Sequence, residues 1–337
     1  MKHTLKKALA LLMVVILMMG IVACTKEVSQ QEDTLEINQE LSLRIAALKG
    51  PTGMGMAKLM EDNEEKNTAI NYEFLLMGSP DDLVGKIINN EVDIAAVPTN
   101  LALTLYNRME GEVQLVAINT LGVLYLLENE DNIHSIEDLR GKKVNTSGKG
   151  TAADYIFQYI LEENQLAVDE DVLLDYKLQH TELAAALIEG DVDLALLPQP
   201  HVSTALMRNK DLRIALDITE EWNKTVGEEG KLAMGCIIVQ RKFAENNLEV
   251  LNIFLEEYKD SVDFVNQQVE EAAELIAKYE ILPNAAIAKE AIPYSNIVYI
   301  EAEEAKVILQ DFYQMLFDFE PKSIGGKLAD EGFYYTR

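Results

Sequence analysis

Two stretches of this chain carry the same apolar pattern one hundred positions apart, and that repeat restricts the fold more than any other feature. Leu83, Ile87 and Ile88 recur as Leu183, Leu187 and Ile188; Val92-Asp93-Ile94-Ala95 recurs as Val192-Asp193-Leu194-Ala195; Pro98 recurs as Pro198. In each copy a helical apolar period gives way to a short continuous apolar run, which reads as a helix followed by a buried strand. Leu43 to Leu48 and Ile70 to Met77 are strand-like ahead of the first copy, Lys142 to Asn145 and Leu173 to Leu178 ahead of the second. Ser79-Pro80-Asp81-Asp82 is a helix start, with Ser79 as cap, proline at the first helical position and acids in the first turn. Strands that alternate with helices form parallel sheets covered on both faces. The expected fold is therefore α/β with two lobes, each a mainly parallel sheet flanked by helices.

A chain of 337 residues, about half of them apolar, suits two such lobes better than one. Leu121 to Leu127 reads as a strand leaving lobe one, and Ala233 to Val239 as a strand returning to it. Lobe one is expected over 42–124 plus 234–337, and lobe two over 125–233. Two chain crossings form a hinge that closes lobes on a ligand. The periodic stretches Arg241 to Ala277 and Glu301 to Phe317 complete lobe one.

The N-terminus sets the compartment. Lys2, Lys6 and Lys7 precede an apolar run from Ala8 to Met19, and Ile21-Val22-Ala23-Cys24 follows. Residues 1–23 read as a signal peptide, too short in its apolar part for a comfortable membrane span. Cys24 reads as the cysteine of a lipobox, carrying a palmitate-type lipid, and 24–41 as a polar, flexible tether. The expected location is the outer face of the cell membrane, with the lipid as the sole membrane contact. A net charge of −28 argues against nucleic acid, which needs a basic face. Two cysteines and four histidines without ligand spacing imply no disulfide scaffold, no metal and no cofactor.

Ligands of open α/β sheets sit beyond the carboxyl ends of strands. The loop Lys49 to Gly55 in lobe one (with Thr52, Gly53 and Met54) and the loop Asn145 to Thr151 in lobe two (with Ser147, Gly148, Lys149 and Thr151) occupy equivalent places. Each combines glycines with exposed N–H groups before a helix. The next loops add Ser79, Thr99, Asn100 and Gln199 as neutral hydrogen-bonding side chains, with capping as the alternative role for Ser79, Thr99 and Thr181. Asn119 and Thr120 stand near the hinge. His180 and His201 read as solvated loop histidines, Trp222 as packing between helix and sheet, and Cys236 as a core residue. No nucleophile, base or acid pair converges in the sequence, which argues against catalysis.

The lipobox, KGPTGMGMAK at Lys49 to Lys58, EVDIAAVP at Glu91 to Pro98, DLRGKKV at Asp138 to Val144 and GDVDLALLP at Gly190 to Pro198 together resemble ABC-transporter solute-binding proteins of the nitrate, taurine, alkanesulfonate and thiamine-precursor type. The resemblance covers about residues 40 to 300. It implies the type II periplasmic binding protein fold and a monomer that captures a small polar or anionic molecule and delivers it to a permease and its ATPase. It also implies that Thr52, Gly53, Ser147, Gly148 and Thr151 hold the ligand. Lys49 and Lys149 are the only charges in those loops, and no arginine is there to clamp a sulfonate. Two further functions fit the same scaffold: an enzyme of the menaquinone-pathway lyase or thiamine-pyrimidine synthase type, and a surface sensor presenting its ligand to a receptor.

Overall fold

A computed structural model of the chain describes residues 42–227 and 231–336, all within one compact unit, Gln39–Arg337. The signal-like segment, Cys24 and the tether lie outside the described residues.

The repeated pattern builds two sheets. In the first, β1 (Ser42–Leu48) pairs in parallel with β2 (Asn71–Met77) and with β3 (Ile94–Pro98). Pro51–Met54 and Ala57–Glu64 form helices α1 and α2 between β1 and β2, and Pro80–Ile88 forms α3. Ser79 caps α3 as its sequence requires, accepting a bond from the Asp81 N–H at 3.2 Å, and Leu83 and Ile87 turn inward. Thr99–Arg108 forms α4. In the second sheet β6 (Lys143–Asn145) pairs in parallel with β7 (Leu173–Asp175) and β8 (Leu194–Pro198). Helices α5 (Ala152–Glu163), α6 (His180–Glu189) and α7 (His201–Arg208) follow β6, β7 and β8 in turn.

The expected parallel pairing holds within these two β/α halves. The strands that carry the chain between them pair antiparallel. β4 (Val113–Leu121) belongs wholly to the first sheet and β5 (Leu124–Glu128) to the second, so the stretch from Leu121 to Leu127 is two strands rather than one. The break falls at Gly122, where a Cβ would lie 2.0 Å from Thr219 Oγ1. β9 (Arg213–Asp217) and α8 (Ile218–Val226) precede the return through β10 (Ala233–Gln240). α9 (Arg241–Asn246), α10 (Leu248–Gln267), α11 (Val269–Lys278), α12 (Ala285–Ala291), β11 (Ile297–Glu301) and α13 (Ala302–Phe319) complete the body. The strand orders are β11-β4-β10-β3-β1-β2 and β7-β6-β8-β5-β9. β5 therefore stands beside β8 as β10 stands beside β3, antiparallel in both cases. Among the described residues, no helix is long and apolar enough to cross a membrane.

Helices α5, α8 and α13 pack against one another along the flank of both sheets. Trp222 fills their junction. It is fully buried, with its ring centroid 5.5 Å from Tyr159 of α5 and 6.2 Å from Phe312 of α13. Cys236 is likewise fully buried in β10, and burial pushes its thiol far up, away from the reactive thiolate. Truncating a fully buried tryptophan removes its contacts and leaves a cavity. Trp222→Ala is expected to lower the unfolding free energy by about 3–5 kcal/mol, read as a fall in urea midpoint by far-ultraviolet circular dichroism. A change below about 1 kcal/mol would show that the three-helix junction is not a structural keystone.

Candidate functional site

Register places the carboxyl ends of β1, β3 and β4 at one edge of the first sheet, together with the start of β10. The carboxyl ends of β6, β7, β8 and β9 lie at the corresponding edge of the second sheet, with the start of β5. Gly122 and Val123 join β4 to β5 directly, so these two edges face each other across the crossing. The loops that follow those strand ends form the candidate site.

On the first side, β1 runs into Gly50, whose φ of 100° lies in the region that favours glycine. The Gly50 N–H donates to the Ile281 carbonyl at 3.1 Å. Gly53 has no room for a side chain, since a Cβ would lie 2.3 Å from the Leu48 carbonyl oxygen. Asn119, at the end of β4, donates from Nδ2 to the Thr52 carbonyl at 2.9 Å and accepts at Oδ1 from Thr120 Oγ1 at 3.2 Å. Both are buried.

On the second side, Asn145 donates from Nδ2 to the Leu194 carbonyl at 3.0 Å, locking β6 to β8. Ser147 follows, buried, with Oγ 2.5 Å from His180 Nδ1. His180 opens α6 and stacks on His201, which opens α7, with ring centroids 5.6 Å apart. The order β7-β6-β8 explains this cluster. The loops after β7 and β8 flank the loop after β6, so His180 and His201 meet beside Ser147. Burial, and then the neighbouring His201, hold the His180 imidazole down from 6.5 to about 4; burial alone lowers His201. Both rings are neutral near pH 7. Asp154 lies buried in the first turn of α5 and accepts from the Gly150 N–H at 2.7 Å and the Tyr176 hydroxyl at 2.5 Å. Gln199 is 3% exposed. Its backbone N–H donates to Val123 and its Oε1 accepts from the Ser203 N–H at 3.3 Å, while Nε2 has no protein partner.

Two bonds tie the second side to the last turn of α12 and the segment that follows it. The Tyr125 hydroxyl donates to the Tyr294 carbonyl at 2.9 Å and Ser203 Oγ to the Glu290 carbonyl at 3.0 Å. A cavity of about 500 Å³ lies between Pro200 on one side and Lys49, Gly50 and the Ala277 to Pro283 loop on the other, within the size range of small-molecule sites. Ile281, Leu282 and Pro283 give it an apolar wall.

The residues expected from the sequence divide. Thr52, Thr120, Ser147 and Gln199 stand at the facing edges, with Gly53 fixing the first loop and Gly148 bending the second at φ 70°. Lys149 and Thr151 are exposed at the rim, Lys149 Nζ lying 5.1 Å over the Tyr176 ring. Met54 is fully buried in the core, and Ser79 serves as the α3 cap. Thr99 is consumed structurally: its Oγ1 donates to the Ala233 carbonyl at 2.7 Å and its carbonyl accepts from Tyr313. Asn100 turns toward Ser323 near the C-terminus. His180 and His201 are not solvated loop residues; they are half-buried helix-opening residues, and the His180 ring stands beside the Ser147 hydroxyl. Their spacing just past two strand ends was the available signal. Tyr125, Tyr294 and the Ile281 to Pro283 wall carried no motif. Among the described residues, no group of three or more His, Cys, Asp or Glu side chains is placed to hold a metal.

Over residues 54–318 the chain matches the model of a family described as menaquinone biosynthesis. Among solved structures, an ABC transporter from Parabacteroides distasonis is 23% identical, with 88% of this chain and 99% of that chain covered and a TM-score of 0.74. The periplasmic aliphatic sulphonate binding protein SsuA from Escherichia coli is 19% identical, over 88% and 92% of the two chains, with a TM-score of 0.68. A ligand binding component of an ABC-type import system from Staphylococcus aureus, with zinc bound, is 10% identical, over 88% and 97%, with a TM-score of 0.63. These likenesses show a shared fold, that of the periplasmic binding proteins. No curated protein matches the chain.

The lowered His180 value links the site to stability. A histidine whose folded value lies below its unfolded one leaves the unfolded chain as the better proton acceptor, so stability is complete above about pH 6.5 and declines as pH falls toward about 4. His180→Asn is expected to shrink the drop in urea midpoint between about pH 7.5 and pH 5 relative to the unmodified protein. An unchanged drop would assign the pH dependence to other groups.

Proposed function

The chain belongs to the menaquinone biosynthesis family, and we propose that this member is the extracytoplasmic solute-binding component of an importer, closing two lobes on a small organic molecule and handing it to a permease and its ATPase. The observation that carries the reading is the set of buried neutral hydrogen-bonding groups contributed by both facing edges: Asn119 and Thr120 from one, Ser147 and Gln199 from the other. A buried polar group without a partner costs free energy that a ligand can recover, and Gln199 Nε2 is such a group. The neighbours of this fold named as solute-binding components of ABC systems support the assignment, as does the lipobox-like sequence ending at Cys24. In this reading residues 1–23 direct export, Cys24 carries the lipid, and the crossing at 122–123 together with the return into β10 acts as the hinge between lobe one and lobe two.

An enzymatic role is the second reading, favoured by the Ser147–His180 contact and by the family's description. Two observations weigh against it. Burial disfavours the imidazolium that a general base must become, and among the described residues no carboxylate hydrogen-bonds His180 in the manner that orients the base of a hydrolytic triad.

Thermal unfolding against taurine, alkanesulfonates, nitrate, bicarbonate, thiamine pyrimidine precursors, riboflavin and amino acids tests both readings at once. A compound at about 100 times its dissociation constant is expected to stabilise by about 2.7 kcal/mol, a shift of a few degrees, and Ser147→Ala to abolish it. Mass spectrometry of the same mixtures then decides: recovery of the compound unchanged supports binding, and its conversion would replace the importer reading by the enzymatic one. For the anchor, the unmodified protein is expected to incorporate radiolabelled palmitate in bacterial cells and Cys24→Ala to incorporate none; equal labelling of the two would dismiss Cys24 as the lipidation site.

A further inference from the structure

From the distribution of charge around the facing edges, and resting on the solute-binding reading above, we infer that the cleft accepts an uncharged ligand whose carbonyl-type oxygen is taken by Gln199 Nε2. The inference narrows the ligand class, because the fold alone admits anions as readily as neutral molecules.

Four of the helix ends at the facing edges, those of α3, α5, α6 and α8, already carry this chain's own carboxylates. A helix N-terminus favours negative charge through its free N–H groups and dipole. At α5 that place is held by Asp154, which is buried and bonded to the Gly150 N–H. At α6 it is held by Glu182, whose carboxylate caps the Gln179 N–H. At α8 Asp217 accepts from the Thr219 N–H at 2.8 Å, with Glu220 in the first turn behind it. At α3 Asp81 and Asp82 fill the first turn. These carboxylates satisfy helix ends that an anion would otherwise use.

Of the helices that follow strand ends at the facing edges, α1, α4 and α7 open without an acid in the first turn. Their ends are consumed in other ways. Thr99 of α4 is bonded to Ala233 and Tyr313, and at α7 the Ser203 N–H is taken by Gln199 Oε1. The short α1 offers little more, since the N–H groups of Gly53 and Met54 both return to the Gly50 carbonyl.

No buried cation offsets this. Among the described residues, no lysine or arginine is buried. Lys49 lies in an exposed pair with Glu280 at 3.6 Å, and Lys149 is directed onto the Tyr176 ring. A cationic ligand fares no better at the buried carboxylate, because both oxygens of Asp154 are bonded already, one to Gly150 and the other to Tyr176. Burying an unpaired charge of either sign is far costlier than burying a neutral group with its hydrogen bonds made. Gln199 Nε2, at the end of β8, remains a buried donor without a protein partner, and the next residue, Pro200, lines the cavity whose apolar wall is Ile281 to Pro283.

One ring in three charge states tests this: nicotinamide (neutral), nicotinate (anionic) and 1-methylnicotinamide (cationic), each titrated to about 50 mM into the full-length protein labelled with 15N-glutamine. The Gln199 side-chain amide resonance is assigned by its loss in Gln199→Glu, or in Gln199→Met should the first variant not fold. Nicotinamide is expected to move that resonance, with at least about ten-fold weaker apparent affinity for the two charged forms, about 1.4 kcal/mol at this temperature. A larger response to nicotinate or to 1-methylnicotinamide overturns the uncharged-ligand inference while leaving solute binding standing. No response of Gln199 to any of the three overturns its role as the ligand's donor and weakens the solute-binding reading with it.

Discussion

Gly122 sits where three stretches of chain converge with no space left over. A Cβ there would lie 2.0 Å from Thr219 Oγ1 and 3.1 Å from Leu232 Cδ2, which sets the end of β4 directly against the start of α8 and the approach to β10. Asn296 fastens a fourth stretch to the same point, donating from Nδ2 to the Gly122 carbonyl at 2.6 Å and accepting from the Leu121 N–H at 3.0 Å. The position of every group at the facing sheet edges follows from this junction, because β4 and β5 leave it in opposite directions as central strands of the two sheets. Asn119 and Thr120 lie two or three residues to one side of it, and Val123, which holds the Gln199 backbone, one residue to the other. The polar groups of the site are thus measured from one close-packed point rather than from flexible loop tips.

The chemistry that results is restrained. Buried polar side chains normally find partners, and here most do so within their own lobe: Asn119 with Thr52, Asn145 with Leu194, Asp154 with Gly150 and Tyr176. This self-satisfaction rigidifies the loops and leaves few unspent donors. The Ser147–His180 contact belongs to the same pattern. It resembles a nucleophile and base in distance, but the imidazole is stacked on a second neutral ring and pressed toward its uncharged form. That environment suits a fixed hydrogen-bonding wall better than a proton shuttle.

Much of the architecture was legible in the order of residues. Ser79-Pro80-Asp81-Asp82 forms the capped helix start that its composition dictates, and Val92 to Pro98 and Val192 to Pro198 form equivalent buried strands. The reading was weaker wherever a local pattern had to be cut. Leu121 to Leu127 is apolar apart from Gly122, and a single glycine does not by itself separate a bend in one strand from a break between two; the cut comes from Thr219, nearly a hundred residues away. Polar loop residues divided in the same manner. Thr99 and Gln199 occupy matching places after matching strands, yet Thr99 is spent on Ala233 and Tyr313 while Gln199 keeps a free donor.

The sequence by itself determined the β/α periodicity and the doubling of the unit, because apolar period, capping residues and glycine conformations act over a few neighbouring positions. The tertiary structure alone decided which polar groups remain unspent. His180 and His201 read as ordinary loop residues until the order β7-β6-β8 sets them on either side of Ser147. Asp154 reads as one more surface acid until Gly150 and Tyr176 enclose it at the end of α5. Hydrogen-bond satisfaction is a property of distant segments brought together, and a one-dimensional pattern carries no record of which donor finds its acceptor elsewhere in the fold.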